Sequence, residues 1–248
     1  MLGSGGRGAA ASLEEWSVRL QAMLRQDSSL IYRAPTEAPV VALTVDDGPD
    51  PRFTPGILRV LERERVPATF FVVGENVARH PDLAQREVRD GFELGNHTFT
   101  HPDLETLSPE GLRREITRAE QEIYAVTGRR PQYFRPPRGY LTWVDFQVAK
   151  DAGYKVVMWS ATVENRHALT VQAMARRTID QVRPGAIILL HDGRLDRTRT
   201  VEALPLIIQG LKDRGYEFVT ISQLLAAADP RVDHPTFELK WGAEPRQM

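Results

Sequence analysis

Two aspartates stand side by side at positions 46 and 47, directly behind the apolar run VVALTV and directly before Gly48-Pro49. Read alone, Asp-Asp-Gly-Pro is a strand-ending turn. Two carboxylates this close raise one pKa unless a cation compensates them. If strand geometry continues through both, they project to opposite sides, one inward and one away. Further along, His97 and His101 are spaced four apart. On a helix, that spacing puts two imidazoles on one face, where they can bind one metal ion. Pro102 argues for a loop, and two surface histidines flanking a turn is the plain alternative. Joined by a carboxylate from another strand end, the histidines make a two-His, one-carboxylate set with open positions. Such a set suits Zn²⁺, Co²⁺, Mn²⁺ or Fe²⁺.

The phrase HPDL occurs at His80 and again at His101. No second histidine and no strand end accompany His80. The phrase itself therefore marks a helix start, with Asp82 or Asp103 near the cap. A metal role for His101 rests on His97 alone. His191 closes the apolar run AIILL. It is either a strand-terminal residue bonded to backbone or a general acid or base, because imidazole titrates in the useful range. Arg135, before two prolines, is either a surface residue or the buried orienter of a carboxylate. The run Pro136-Pro137-Arg138-Gly139 fixes backbone angles, so the N–H of residue 138 could be aimed at an oxyanion.

These residues need elements to bring them together. From Val40 onward, strand-like runs (40–45, 68–73, 92–94, 133–135, 154–159, 186–190, 216–220) alternate with helical stretches (55–64, 83–90, 109–127, 143–152, 171–182, 201–214). Gly91, Gly128, Gly153 and Gly215 close four of the helices. Strand–helix alternation predicts a parallel sheet. About seven such units in roughly 190 residues predict an α/β fold of the distorted (β/α) barrel kind, TIM-barrel-like. Periodicity alone leaves an open doubly wound sheet as the alternative. In either fold, function gathers just past the C-terminal ends of strands, where Asp46, Asp47, His97, His101, Arg135 and His191 all stand. Residues 1–38 read as a mobile N-terminus, a short helix at Leu13–Arg25 and a linker, 39–228 as the main domain, and 229–248 as a C-terminal extension.

The chain has 248 residues, no cysteine, and a formal net charge of −1 from 32 Lys+Arg against 33 Asp+Glu. This excludes a disulfide framework, thiolate metal sites and a cysteine nucleophile. It gives no electrostatic case for nucleic acid. No segment is long and apolar enough to span a bilayer. The first residues lack the apolar region of a signal peptide, so the literal reading is an unexported chain. A missing leader would place it outside the cytoplasm or in the cell envelope. The compartment and the oligomeric state stay open.

The set TVDDGP, HTFTH, RPPRG and LLHD, in this order, resembles the polysaccharide deacetylases of carbohydrate esterase family 4, the NodB-homology domain, over about Val40 to Ala226. The resemblance implies removal of acetyl from an N-acetylated amino sugar by a protein holding one divalent metal ion. Zinc is expected first, with Co, Ni, Mn or Fe as alternatives. It implies Asp47, His97 and His101 as metal ligands, Asp46 as catalytic base, His191 as the acid protonating the leaving amine, and Arg135 as the arginine that holds the base. It also implies the residue-138 amide as oxyanion donor, with Arg138, Gly139, Tyr140 and Trp159 around the substrate. Two departures stand out. Arg138 occupies a position where the family usually has an aromatic residue, and an extra cation there would suit an anionic or smaller substrate. The fourth motif, WSATVENRH, has Thr162, Asn165 and Arg166 near the family's usual aspartates. The missing aspartate would tune His191 and pair with Arg135, a task Thr162 or Glu164 could take over. Two other readings remain open: a hydrolase of the same fold acting on a different carbon–nitrogen amide, and a non-catalytic sugar-binding module.

Overall fold

The computed structural model describes residues 27–164, 170–229 and 231–232. The expected helix at Leu13–Arg25, Asn165 and Arg166 of the fourth motif, and nearly all of the C-terminal extension lie outside the described residues. The strands are β1 (Leu30–Ile31), β2 (Val40–Asp46), β3 (Thr69–Val72), β4 (Glu93–Asn96), β5 (Tyr133–Phe134), β6 (Lys155–Val157), β7 (Ala161–Thr162), β8 (Ile187–His191) and β9 (Glu217–Val219). The helices are α1 (Thr54–Glu64), α2 (Gly74–Arg79), α3 (Pro81–Arg89), α4 (Pro109–Thr127), α5 (Trp143–Asp151), α6 (Val171–Gln181), α7 (Thr198–Asp213) and α8 (Ile221–Ala226).

All strand pairings are parallel, in the order β1-β6-β5-β4-β3-β2-β8-β7, with β9 added on β2. The sheet curls into a half-barrel, the distorted (β/α) barrel expected, rather than an open doubly wound sheet. β2 is the hub. Its residues Ala42–Asp46 pair with β8 along one edge. Its other edge is shared, with β9 against Val40–Ala42 and β3 against Thr44–Asp46. The described residues hold nine strands where about seven were expected. The two extra ones, β1 and β7, are two residues each, as short as the expected β5. β1 pairs with β6, and Ala34 N donates to Gly185 O at 2.9 Å, so the sheet reaches back ahead of residue 39.

Side-chain alternation along the strands sets the layers. Val41, Leu43 and Val45 of β2, Phe70 and Val72 of β3, and Ile188 and Leu190 of β8 pack outward against the helices in the largest core cluster. Ala42, Phe71, Tyr133, Val157 and Ile187 point inward and meet Ile221 and Leu224 of α8. The same period carries Thr44 and Asp46, and Leu189 and His191, along the inward face towards the C-terminal strand ends. Helix ends follow local chemistry. Ser108 accepts from Gly111 N at 3.1 Å and Pro109 opens α4, which Gly128 closes at φ 69°. Thr142 with Asp145, and Thr220 with Gln223, form capping boxes. Among the described residues no helix is long and apolar enough to cross a membrane.

Candidate metal centre and active site

Asp46 is the last residue of β2 and pairs in register with His191. The strand does not continue past it: Asp47 has φ 79°, left-handed backbone rarely taken by a non-glycine residue. The expected divergence of the two carboxylates therefore does not occur. The turn swings Asp47 back so that both face His97, whose Nε2 lies 3.8 Å from Asp46 Oδ2 and 3.6 Å from Asp47 Oδ1. The turn is pinned on every side. Asn76 Nδ2 donates to Asp47 O at 2.8 Å, Val73 N to Gly48 O at 2.9 Å, and Asp192 N to Asp46 O at 3.0 Å. Gly48 is obligatory here, since a Cβ would strike the Asp192 carboxylate.

His97 and His101 are not on a helix. The segment after β4 is a loop with left-handed Thr98 (φ 67°) and His101 (φ 55°), as Pro102 foretold. Hydrogen bonds to the loop's own and neighbouring side chains shape it: Thr98 N to Asn96 Oδ1 at 2.9 Å, His101 N to Thr98 Oγ1 at 3.1 Å, and Phe99 N and Thr100 N to Glu115 Oε2 of α4 at 3.0 and 2.8 Å. The two rings end 5.0 Å apart. HPDL does open helices, α3 at His80 and a 3₁₀ turn at Leu104–Thr106. Neither Asp82 nor Asp103 caps through its side chain, however; Asp103 instead pairs with Arg138 at 3.0 Å.

One donor atom each from Asp47, His97 and His101 lies within 4.8 Å of the others, and all three residues are buried. Two neutral-capable imidazoles and one carboxylate fit a divalent ion while leaving coordination positions open. His97 is already oriented for it: Nδ1 donates to Arg135 O at 2.7 Å, which leaves the Nε2 lone pair facing the site. His101 is held differently. Arginine can only donate, so His101 Nδ1 accepts from Arg194 Nη1 at 2.9 Å, and Nε2 carries the proton facing Asp47 Oδ1 at 3.1 Å. Offering that Nε2 to a cation requires its proton to leave and Arg194 to release Nδ1. Burial pushes the Asp47 carboxyl up, but the adjacent imidazoles, His101 first and then His97, outweigh it and hold the group well below the ordinary range.

Arg135 is fully buried, and its cost is met by four acceptors. Nη1 donates to Asp46 Oδ1 at 2.6 Å and to Thr44 Oγ1 at 2.9 Å, Nε to Val157 O at 2.9 Å, and Nη2 to Met158 O at 3.0 Å. Its guanidinium also stacks over Phe71, 4.1 Å from the ring centre. Arg135 thus has its carboxylate partner in Asp46, without help from the fourth motif.

His191 has its partner in Glu164. Nδ1 lies 3.1 Å from Glu164 Oε2, and the backbone N–H donates to Oε1 at 3.1 Å. Thr200 Oγ1 donates to the same Oε1 at 2.9 Å. Burial lowers the His191 pKa, but the hydrogen bond and charge of Glu164, then Asp46 and Asp47, raise it above the ordinary value. Glu164 moves the opposite way: burial raises it, and His191 and Arg197 bring it below its ordinary value.

A cavity of about 120 Å³ opens over this set, lined by Asp46, Asp47, His97, His101, Arg138, Gly139, Trp159, Leu189, His191 and Arg194. Gly139, at φ 69°, lies flush on Trp159, and a Cβ there would enter the indole. Arg138 is exposed and its charge is answered by Asp103. Of the four expected residues that do not line the cavity, Arg135 and Glu164 stand behind Asp46 and His191, and the other two have different partners. Tyr140 packs against the cluster of Phe134 and Phe146. The Thr162 backbone is bonded to Gln181 and Thr178 of α6. Sequence reasoning missed Thr44, Leu189, Arg194, Arg197 and Thr200. Alternation could have found the first two, which precede Asp46 and His191 by two positions. The other three come from the polar run after β8, which carries no periodic signal.

The family profile for polysaccharide deacetylase matches residues 33–157. The peptidoglycan-N-acetylglucosamine deacetylase of Bacillus cereus is 37% identical over 208 residues, 83% of this chain and 97% of that protein. The chitooligosaccharide deacetylase of Bradyrhizobium sp. (strain ANU 289) is 38% identical over 196 residues, 74% of this chain and 90% of its own. The crystal structure of the Bc1960 peptidoglycan N-acetylglucosamine deacetylase in complex with 4-naphthalen-1-yl-N-oxidanyl-benzamide is also similar. It superposes with a TM-score of 0.77 at 31% identity, over 81% of this chain and 94% of that one.

Proposed function

The chain belongs to the polysaccharide deacetylase family, and from that premise we propose that it is a metal-dependent hydrolase releasing acetate from an N-acetylated glucosamine unit of a glycan. The observation that carries this reading is the buried convergence of Asp47, His97 and His101 beside Asp46, with His191 across the same cavity. The alternative amide hydrolase and the sugar-binding module have no observation of their own in their favour.

A divalent ion held by Asp47, His97 and His101 would lower the pKa of a water towards about 7 and draw charge from the acetyl carbonyl. Asp46, oriented by Arg135, takes a proton from the water as its oxygen adds to the acetyl carbon. The residue-138 amide, set by the left-handed turn at Arg138 (φ 58°), faces the developing oxyanion. His191, its pKa raised by Glu164, gives its proton to the sugar nitrogen as the carbon–nitrogen bond breaks. The products are acetate and a free amine: the proton taken by Asp46 passes back through solvent to restore His191, and the second water proton leaves with the acid, which ionises to acetate. Trp159 and Gly139 form an apolar wall for the sugar ring.

A panel of N-acetylglucosamine oligomers, peptidoglycan fragments and small N-acyl amines, assayed for acetate release, tests this reading. Release from the glycans is the expected result. Release from small amines alone overturns it in favour of the second reading, and glycan binding without release favours the third.

The pairing of Glu164 with His191 fixes a pH dependence. An acid works only while protonated, so turnover falls as pH rises through the His191 pKa. Glu164 raises that pKa. In Glu164→Gln, the alkaline limb of kcat/KM is expected to move to lower pH, with activity above neutrality down about tenfold or more. An alkaline limb that stays in place removes Glu164 from this role.

A further inference from the structure

We propose that Arg197 is a positioning residue that ties the candidate metal carboxylate to the carboxylate behind His191, an inference that rests on the deacetylase reading above. Arg197 lies at the start of α7, buried, and comes from no motif of the family resemblance. Its guanidinium spans two carboxylates from different strand ends. Nη2 is 3.7 Å from Asp47 Oδ2, and Nη1 is 3.8 Å from Glu164 Oε1. Nε donates to Gly193 O at 3.0 Å and anchors the fork to the loop after β8.

The division of oxygens gives the arrangement its meaning. Asp47 turns Oδ2 to Arg197 and Oδ1 to His97 and His101, at 3.6 and 3.1 Å. Glu164 turns Oε1 to Arg197, Thr200 and the His191 backbone N–H, and Oε2 to the His191 ring at Nδ1. In each carboxylate the rear oxygen is held by the first turn of α7, and the front oxygen is left to the site. At 3.7 and 3.8 Å these are ion pairs rather than directed hydrogen bonds. They act through charge, which burial strengthens. Only a planar fork reaches both carboxylates and the carbonyl together; an ammonium is a point charge and serves one. Metal binding and proton donation, which the sequence places far apart, would then share one cation.

The test uses the full chain with Arg197→Met and Arg197→Lys, each checked for folding by circular dichroism. Zinc affinity is read by chelator competition, and kcat at saturating zinc on an N-acetylglucosamine oligomer. Arg197→Met is expected to weaken zinc binding and lower kcat, each by about ten- to a hundredfold. Arg197→Lys should keep zinc affinity within about threefold, because an ammonium can still hold the rear oxygen of Asp47, yet lose about tenfold in kcat, because one ammonium cannot hold both carboxylates. In the Glu164→Gln background, Arg197→Met should cost little further kcat. Parental zinc affinity in Arg197→Met, or parental kcat in Arg197→Lys, overturns the proposal. If the methionine variant does not fold, the lysine variant decides alone. The zinc measurement needs no substrate. Zinc affinity that depends on Arg197 in a protein releasing no acetate would sink the deacetylase reading and, with it, the Glu164 half of the proposal, leaving only the tie between Arg197 and Asp47.

Discussion

Asp47→Ala, and separately His97→Ala, should abolish metal uptake and acetate release together. Each removes one of three donors from a site that has no fourth protein ligand among the described residues. The ion's contribution to the transition state is several kcal/mol, and about 1.4 kcal/mol is tenfold in rate. A loss of about a thousandfold or more in kcat/KM is expected, without rescue by added metal at moderate concentration. Thermal stability should change far less than activity, because neither residue belongs to the apolar clusters that hold the sheet. Paired assays of metal content and acetate release check this. A metal-poor variant with full turnover would show that Asp47 and His97 are structural.

Asp46→Asn should separate the two properties. The amide oxygen can still accept from Arg135, so the buried guanidinium keeps an acceptor in place of the one at 2.6 Å. Alanine would instead leave that cation short of a partner, at a cost of about 3–5 kcal/mol typical of a broken buried pair. The asparagine cannot take a proton from water. Metal content should therefore stay near one equivalent per chain while kcat falls about 10²–10⁴-fold, the usual worth of a general base. Full activity in Asp46→Asn would end the base assignment; loss of metal would mean that both aspartates serve as ligands.

These two variants rest on a turn that could be read only partly in the sequence. The apolar run ending in Asp46 gives the strand, and alternation from Ala42 through Thr44 puts Asp46 on the inward face. The orientation of Asp47 depends on one left-handed residue, which turn chemistry permits but does not require. The histidine pair shows the same division. Its i, i+4 spacing points to a shared face on a helix, yet the face is built by a loop whose shape comes from Asn96, Thr98 and Glu115. Glu115 lies on α4, a contact that only the folded chain creates. The barrel itself was legible because long strands and helices repeat their apolar period. β1, β5 and β7, at two residues each, fall below any period; β5 was read beside Arg135, whereas β1 and β7 show only in their pairing with β6 and β8. Arg135 was legible as a buried orienter once Asp46 was placed inward. Arg194, Arg197 and Thr200 were not, because polar residues in a run after a strand look alike until the fold assigns each a partner.

The most direct measurement is acetate release from an N-acetylglucosamine oligomer by the full chain, first stripped of metal by chelator and then titrated with zinc. The predicted result is no release from the stripped protein and recovery that saturates near one zinc per chain, with one free amine formed for each acetate. Undiminished release from the stripped protein would contradict a role for Asp47, His97 and His101 as ligands of a required ion.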